Sequence, residues 1–490
     1  MKDGGVQIVF KRELMKEVCK PTKRLLLGVV LFFSFLSVSW SVDVSNYFIM
    51  DDYTLFYDSL STTYVNCFSL LPRFRYNDRP FRLIVFKLLI SKFSFNAVIF
   101  HLIFVIIHLL IVFVLYKSIR IWINGEESFF IALVSAGIFG IYPKSLMTVS
   151  WSSGVDLLCG LFVVISLYCY IRYLKWQKHN NLFGILSLLS YIISLRFKEM
   201  SLALPLCFLI FDITDLIHNK KKLHLRIYTY LSMIWMFIYI ATLFSYPPIT
   251  EYYYEQSFNP IILVKNLFRY LGLYTDLQSS DFGYTGLNIQ VAVGMLLFTA
   301  LLVLSILRII KKKDLLLLPW TVGMLVIFTP VLPQINMQQK LYLYIPSMFI
   351  GVFMSNTLYQ GFKLLEIRKK NAFVVIFIVC LWLCNYTPGI VGHKEFWKSI
   401  GLKDHNEIIQ VQRLSALIPN STVYVKGASD NYNIINPYGP GHVLNLIYND
   451  ITIKTVLVDE FPELPEYPYV FWEYDGKTFT ELESDLSVRS

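Results

Sequence analysis

Long runs of apolar residues recur along the chain, and most are closed by a cluster of lysine and arginine. About 20 apolar residues in a helix cross the ~30 Å hydrocarbon core of a bilayer. Such runs predict spans near 25–42, 97–117, 129–149, 155–173, 182–196, 200–217, 227–246, 290–309, 315–331, 341–362 and 372–390. The basic clusters orient them. Lys11, Arg12, Lys16, Lys20, Lys23 and Arg24 precede the first span. Lys117 and Arg120 follow the second, and Arg172, Lys175 and Lys178 the fourth. Lys220, Lys221, Lys222 and Arg226 follow the sixth, Lys311, Lys312 and Lys313 the eighth, and Lys363, Arg368, Lys369 and Lys370 the tenth. With about eleven spans and the N-terminus inside, every cluster falls on one side. Short loops rich in Lys and Arg stay cytoplasmic, so this agreement sets the expected topology.

Three segments break the pattern. The segment 43–96 is expected outside, yet it carries Arg73, Arg75, Arg79, Arg82, Lys87 and Lys92 beside Asp43, Asp51, Asp52, Asp58 and Asp78. Its second half, Phe81–Phe95, reads as an amphipathic helix lying in the membrane interface, with cations near lipid phosphates. Simple anchoring and a site for a phosphate-bearing lipid both suit it. A second outer loop, 245–288, contains Pro247-Pro248 and Tyr252-Tyr253-Tyr254. From 391 onward the pattern is no longer membrane-like. A helical stretch Asp404–Leu417 leads to a strand Thr422–Lys426, an apolar run His442–Tyr448 and a strand Thr455–Asp459. A hairpin follows, Tyr469–Tyr474 and Lys477–Leu482, turning at Asp475-Gly476. The expected fold is therefore an α-helical polytopic membrane protein. A basic cytoplasmic N-terminus, 1–24, precedes a transmembrane domain, 25–390, and a small extracytoplasmic α/β domain, 391–490.

Composition agrees. Of 490 residues, 55% are hydrophobic and only 16% charged, against about 25% charged in soluble proteins. The mean hydropathy is +0.53. A disordered chain, a fibrous repeat and an ordinary cytosolic enzyme are excluded. The net charge of +10 is distributed by topology, so no nucleic acid partner is expected. The seven cysteines have neither zinc-ligand nor disulfide-framework spacing and read as packing residues. The first apolar run lacks a small-residue cleavage site and reads as a retained span rather than a signal peptide.

Candidate chemistry gathers on the expected outer side. Asp51-Asp52 follows the first span amid aromatics. Carboxylates there are costly to desolvate unless paired or used. They suit a general base toward a hydroxyl, a cation site, or an ordinary exposed pair. Arg196, Lys198 and Glu199 fill the short turn between the fifth and sixth spans, where cations run against the positive-inside bias. A lysine there suits neutralising a leaving phosphate, or an ion pair with Glu199 that shapes the turn. Asp156, after Trp151-Ser152-Ser153-Gly154-Val155, is placed to cap a helix N-terminus or to touch substrate. His101 and His108 are two helical turns apart, too far to share one metal ion easily, so packing or hydrogen bonding is expected of them. Lys340, Tyr342 and Tyr344 begin the tenth span as interfacial anchors or site lining. Walker, GxSxG, HExxH and CxxC motifs are lacking, which argues against nucleotide-driven transport.

The order of these motifs resembles the GT-C class of polytopic glycosyltransferases. Within it, the chain is similar to the protein O-mannosyltransferase branch and its relatives with tetratricopeptide repeats. The likeness runs through roughly residues 45–215 and returns at 338–347. It rests on Asp51-Asp52, on Arg79-Pro80-Phe81 leading into the interfacial helix, and on His101. It continues with Trp151 to Asp156, Lys198-Glu199 running to Pro205, and Tyr342-Leu343-Tyr344-Ile345-Pro346-Ser347. Lys340-Leu341 stands where relatives often have Glu-Arg, and no tetratricopeptide period is visible in 391–490.

The resemblance implies transfer of a sugar, with inversion, from a polyprenyl-phosphate donor to a protein or glycan hydroxyl. It makes Asp51 the general base, with Asp52 second, and gives Lys198, Arg196 and Arg79 the donor phosphate. Glu199, His101, Trp151, Asp156, Lys340, Tyr342 and Tyr344 would line the site. Some GT-C enzymes use a divalent cation; no ligand cluster stands out here, so no metal or other cofactor is expected. The missing lumenal repeat domain points to a bacterial inner membrane, with the C-terminal domain periplasmic. A flippase of lipid-linked sugars, a polysaccharide polymerase or ligase, and a non-catalytic GT-C member remain as alternatives.

Overall fold

A computed structural model describes residues 24–39, 48, 51–73, 79–142, 148–149, 155–175, 180–219, 226–246, 256–275, 289–311, 315–333, 340–364, 391–414, 417–428, 442–448, 450, 452–463, 465–466 and 468–486. The described chain is mostly helical up to Leu364 and ends in a small mixed sheet. Among the described residues, four helices are long and apolar enough to cross a membrane: Ala97–Ile123, Val155–Lys175, Glu199–Asn219 and Ile227–Ser245. Shorter apolar helices include Arg24–Ser39, Glu127–Ile141, Asn181–Phe197, Ala292–Arg308 and Leu315–Val326. The expected count of about eleven spans is not confirmed among the described residues. The run at 372–390 lies outside the described residues.

The bundle packs through small and hydroxylated residues. Val155–Lys175 and Asn180–Phe197 form a helical hairpin in which Ser166 and Ser187 each donate to the other's carbonyl, at 2.7 and 2.9 Å. Tyr344–Leu364 lies on Glu126–Ile141. There a methyl group on Gly351 would stand 3.1 Å from the Ser135 carbonyl oxygen, and Ser135 bonds Ser355 at 3.0 Å. Such close backbone approach is the usual device where the solvent is lipid and apolar burial drives little association. Ile227, Ile234 and Phe237 are exposed along Ile227–Ser245, as a lipid-facing helix requires.

Several expected elements differ. The interfacial helix forms as Pro80–Phe93, with Pro at its start, where the missing N–H costs nothing. It has no clean apolar face: Phe86 and Ile90 are buried while Leu88 and Phe93 are exposed. Lys87 turns back to the Leu60 and Thr62 carbonyls instead of toward lipid. The loop 245–288 holds a helix, Pro260–Thr275, whose Asn266 donates to the Leu332 carbonyl at 2.8 Å. Asn259 caps that helix through the Ile261 N–H. The segment 129–149 yields a helix that stops at Ile141.

In the C-terminal domain the helix begins at Val391, not at Asp404, and runs to Arg413. The four strands are β1 (Thr422–Lys426), β2 (Lys454–Val458), β3 (Tyr469–Tyr474) and β4 (Phe479–Asp485), in the order β2-β1-β3-β4. β1 lies parallel to both neighbours, with Thr422 opposite Lys454 and Tyr469. The helix His442–Tyr448 makes the crossover from β1 to β2 that parallel pairing demands. β3 and β4 form the hairpin, shifted by a bulge at Phe471/Trp472. Gly476 takes the left-handed conformation in its turn (φ 92°), and Asp475 accepts from the Lys477 and Thr478 N–H groups. Val423, Val425, Val470 and Trp472 form the core of this domain with Val411, Val443 and Leu444.

Candidate functional site

The charged turn after Phe197 organises one end of the bundle. Its charges do not pair with each other. Lys198 donates to Asp156 Oδ2 at 2.6 Å, and both side chains are 5% exposed. Glu199 instead accepts from Arg79 Nη2 at 3.3 Å, with the two side chains 26% and 12% exposed. Two crossed ion pairs therefore tie the turn to the start of Val155–Lys175 and to the residue before Pro80–Phe93. The Lys198 ammonium also stands 4.7 Å over the Tyr342 ring. Asp156 sits in the first turn of its helix, where the dipole favours an anion. It lies within the first turn, one residue past the helix start, and pairs with Lys198.

Tyr344, next along the late motif, takes another role. Its hydroxyl meets His108 Nδ1 at 3.0 Å, while His108 Nε2 faces the Gly140 carbonyl at 3.4 Å. Hydrogen bonding, not metal binding, is thus the part His108 plays. Gly160 makes room for the Tyr344 ring, since a Cβ there would lie 2.7 Å from its Cε1. His101 is buried in the same helix as His108. Arg196 is fully buried; its Nε donates to the Ser69 carbonyl at 2.8 Å and its Nη1 to the Tyr239 hydroxyl at 3.3 Å.

An apolar cavity of about 320 Å³ opens beside Glu199, lined by Leu202, Leu206, Met236, Leu243 and Phe244, with Pro330 on the far wall. Ligand pockets of ~300–1,000 Å³ with a few placed polar groups are the usual form of a small-molecule site. Sequence reading did not find this cavity, because its walls come from four separated segments, most of whose residues look like ordinary span.

Asp51 and Asp52 form the first turn of the helix Asp51–Ser61. Asp52 is buried, 1% exposed. The side chains of Asp51 and Lys340, and the whole of Trp151, lie outside the described residues. The acid helix joins the cation site through Pro80–Phe93, where Phe56 packs on Phe86. Its other flank meets the C-terminal domain. Tyr57 stacks on His442 with ring centroids 4.3 Å apart, and Tyr53 packs against both hydrophobic cores. Burial and the nearby carboxylates of Asp404 and Asp52 push the Tyr53 hydroxyl well above its usual range. Asp404 and His442 were not singled out in the sequence; only a long-range fold brings them to the helix that bears the acid pair. Among the described residues, no group of three or more His, Cys, Asp or Glu could hold a metal ion.

No family model matches the chain, and no curated protein does. Solved structures do. ArnT from Cupriavidus metallidurans bound to undecaprenyl phosphate aligns with a TM-score of 0.53 at 13% identity, over 92% of each chain. The fold is similar to that of ArnT. The apo state of the same protein aligns with a TM-score of 0.50 at 13% identity, covering 90% of this chain and 86% of that one. At this identity the likeness is one of fold. Apolar helices and an ArnT-like fold together make this a membrane protein.

Proposed function

We propose that this chain is an integral membrane glycosyltransferase that moves a sugar from a polyprenyl-phosphate donor to an acceptor hydroxyl on the extracytoplasmic face. The observation that carries this reading is the Arg79–Glu199 ion pair, whose carboxylate lines an apolar cavity, in a fold similar to that of ArnT. A phosphate bearing a long hydrocarbon chain needs both a cation and an apolar cavity. The donor would enter from the bilayer, its first isoprene units among Leu202, Leu206 and Phe244 and its phosphate toward the two cations.

Asp51 takes the acceptor's hydroxyl proton as general base. The acceptor oxygen attacks the anomeric carbon from the face opposite the phosphate, so configuration inverts. The bond from that carbon to the phosphate oxygen breaks, and its electron pair leaves with polyprenyl phosphate. Cations held where this charge develops supply a large share of catalysis in such sites. The burial of Asp52 and the bonds of Arg196 support positioning roles for both. Acceptors of the protein or glycan class fit this scheme. The favoured setting is a bacterial inner membrane, with the C-terminal domain periplasmic.

The test uses membranes containing the wild type, Asp51→Asn, Asp52→Asn or Lys198→Ala, supplied with a panel of polyprenyl-phosphate sugars. Released polyprenyl phosphate is followed by mass spectrometry. Release by the wild type, lost in Asp51→Asn at equal expression, is the expected result. Movement of lipid-linked sugar between leaflets with no release from any donor would replace this reading by a flippase.

A further inference from the structure

The two ion pairs of the site differ in one respect that matters for turnover. Lys198 and Asp156 are sealed, each 5% exposed, whereas Glu199 is 26% exposed and lines the apolar cavity. Glu199 thus presents an anion to Arg79 at the edge of the space a lipid would fill. A guanidinium binds carboxylate and phosphate with the same planar fork of donors. The two cations and two carboxylates also leave the empty site electrically balanced.

Resting on the donor reading above, we propose that Glu199 is a product-release residue, which exchanges with the lipid phosphate for Arg79. The reason lies in the charges of donor and product. The donor phosphate is a diester with a single negative charge. The product is a monoester, which carries about 1.5 to 2 negative charges near neutral pH. Cations placed for the donor therefore hold the product more tightly, and the enzyme is exposed to trapping by its own leaving group. A tethered carboxylate beside Arg79 opposes this. It reclaims the guanidinium as the phosphate moves and repels the more highly charged product more strongly than the donor. Asp156 and Lys198 are too enclosed to exchange in this way, so the alternation is confined to Arg79.

The experiment compares wild type, Glu199→Gln, Glu199→Asp and Arg79→Gln in nanodiscs. Undecaprenyl phosphate is the probe and undecaprenol the uncharged control. Glu199→Gln is expected to bind undecaprenyl phosphate about fivefold more tightly, the equivalent of one partly exposed ion pair. It should show a normal first turnover followed by a slower steady state, with undecaprenol binding unchanged. Glu199→Asp, which keeps the charge, should return toward wild type, and Arg79→Gln should bind the phosphate more weakly. Equal or weaker phosphate binding by Glu199→Gln, with Arg79→Gln still impaired, overturns the release role and leaves the donor reading standing. A wild type that binds neither probe, with Arg79→Gln no different, overturns the donor reading and this proposal with it.

Discussion

Replacing Lys198 by Met tests the central ion pair, and the structure sets the size of the effect. Asp156 Oδ2 accepts from Lys198 Nζ at 2.6 Å, and Asp156 Oδ1 has no hydrogen-bond partner among the described residues. Removing the ammonium strands a carboxylate that is 5% exposed. Breaking a buried pair in this way costs about 3–5 kcal/mol. The helix N-terminus beneath Asp156 offsets about 0.3–1 kcal/mol, while loss of the contact with the Tyr342 ring adds about 0.5–2 kcal/mol. The single variant should therefore lose roughly 3–6 kcal/mol. The double variant Lys198→Met/Asp156→Leu, which removes both charges, should regain most of it, because apolar replacement of a buried pair is often neutral. Cys159 supplies the assay. Its thiol is buried and donates to the Lys198 carbonyl at 3.6 Å, so its labelling by a maleimide during thermal or denaturant unfolding reports on this junction. A single variant as stable as the wild type would refute the ion-pair argument. A double variant that is stable and still transfers sugar would remove Lys198 from the donor site.

Three further outcomes are expected. Gly160→Ala pushes a methyl group into the Tyr344 ring beside the bond to His108; it should lower stability by about 1–3 kcal/mol, read as an earlier unfolding midpoint. Arg196→Met leaves the Ser69 carbonyl without its buried donor and should cost about 1–3 kcal/mol, with little change in donor KM for the protein that folds. Burial holds His442 below its ordinary value of 6.5, with Asp58 opposing. Docking of its helix is therefore strongest above 6.5 and weakens as the pH falls through the lowered value. Burial raises Asp58, whose protonation at lower pH acts the other way. Amide exchange across His442–Tyr448 should accelerate on mild acidification, and His442→Phe should flatten that response.

Much of the membrane domain was legible because its signal is local. Apolar length and flanking lysines located Val155–Lys175 and Ile227–Ser245 to within a few residues. In the C-terminal domain, alternation and an Asp-Gly turn gave β1 without error and β3–β4 nearly so. Lys198, Glu199, Arg79 and Asp156 were legible as isolated charges in expensive places. Their pairing was not, because nothing in the dipeptide Lys198-Glu199 says that each finds its partner in a different segment. The helix at Pro260–Thr275 was passed over because its polar face and flanking prolines resemble a loop. Val391–Asp404 was missed because its composition is mixed. Arg79-Pro80 led to a helix as expected, but its amphipathic character failed once Lys87 proved to bind backbone carbonyls nearby.

The stacking of Tyr57 on His442 has a consequence for biogenesis. Roughly 385 residues separate the two rings, so at ordinary rates of synthesis about 20–80 s pass between their emergence from the ribosome. Throughout that interval the helix bearing the acid pair lacks the surface it packs on. A nascent chain can insert its early spans and still hold an unfinished site. Completion waits for the final hundred residues to be delivered and folded, which makes loss of the C-terminus a defect of the first outer segment as well.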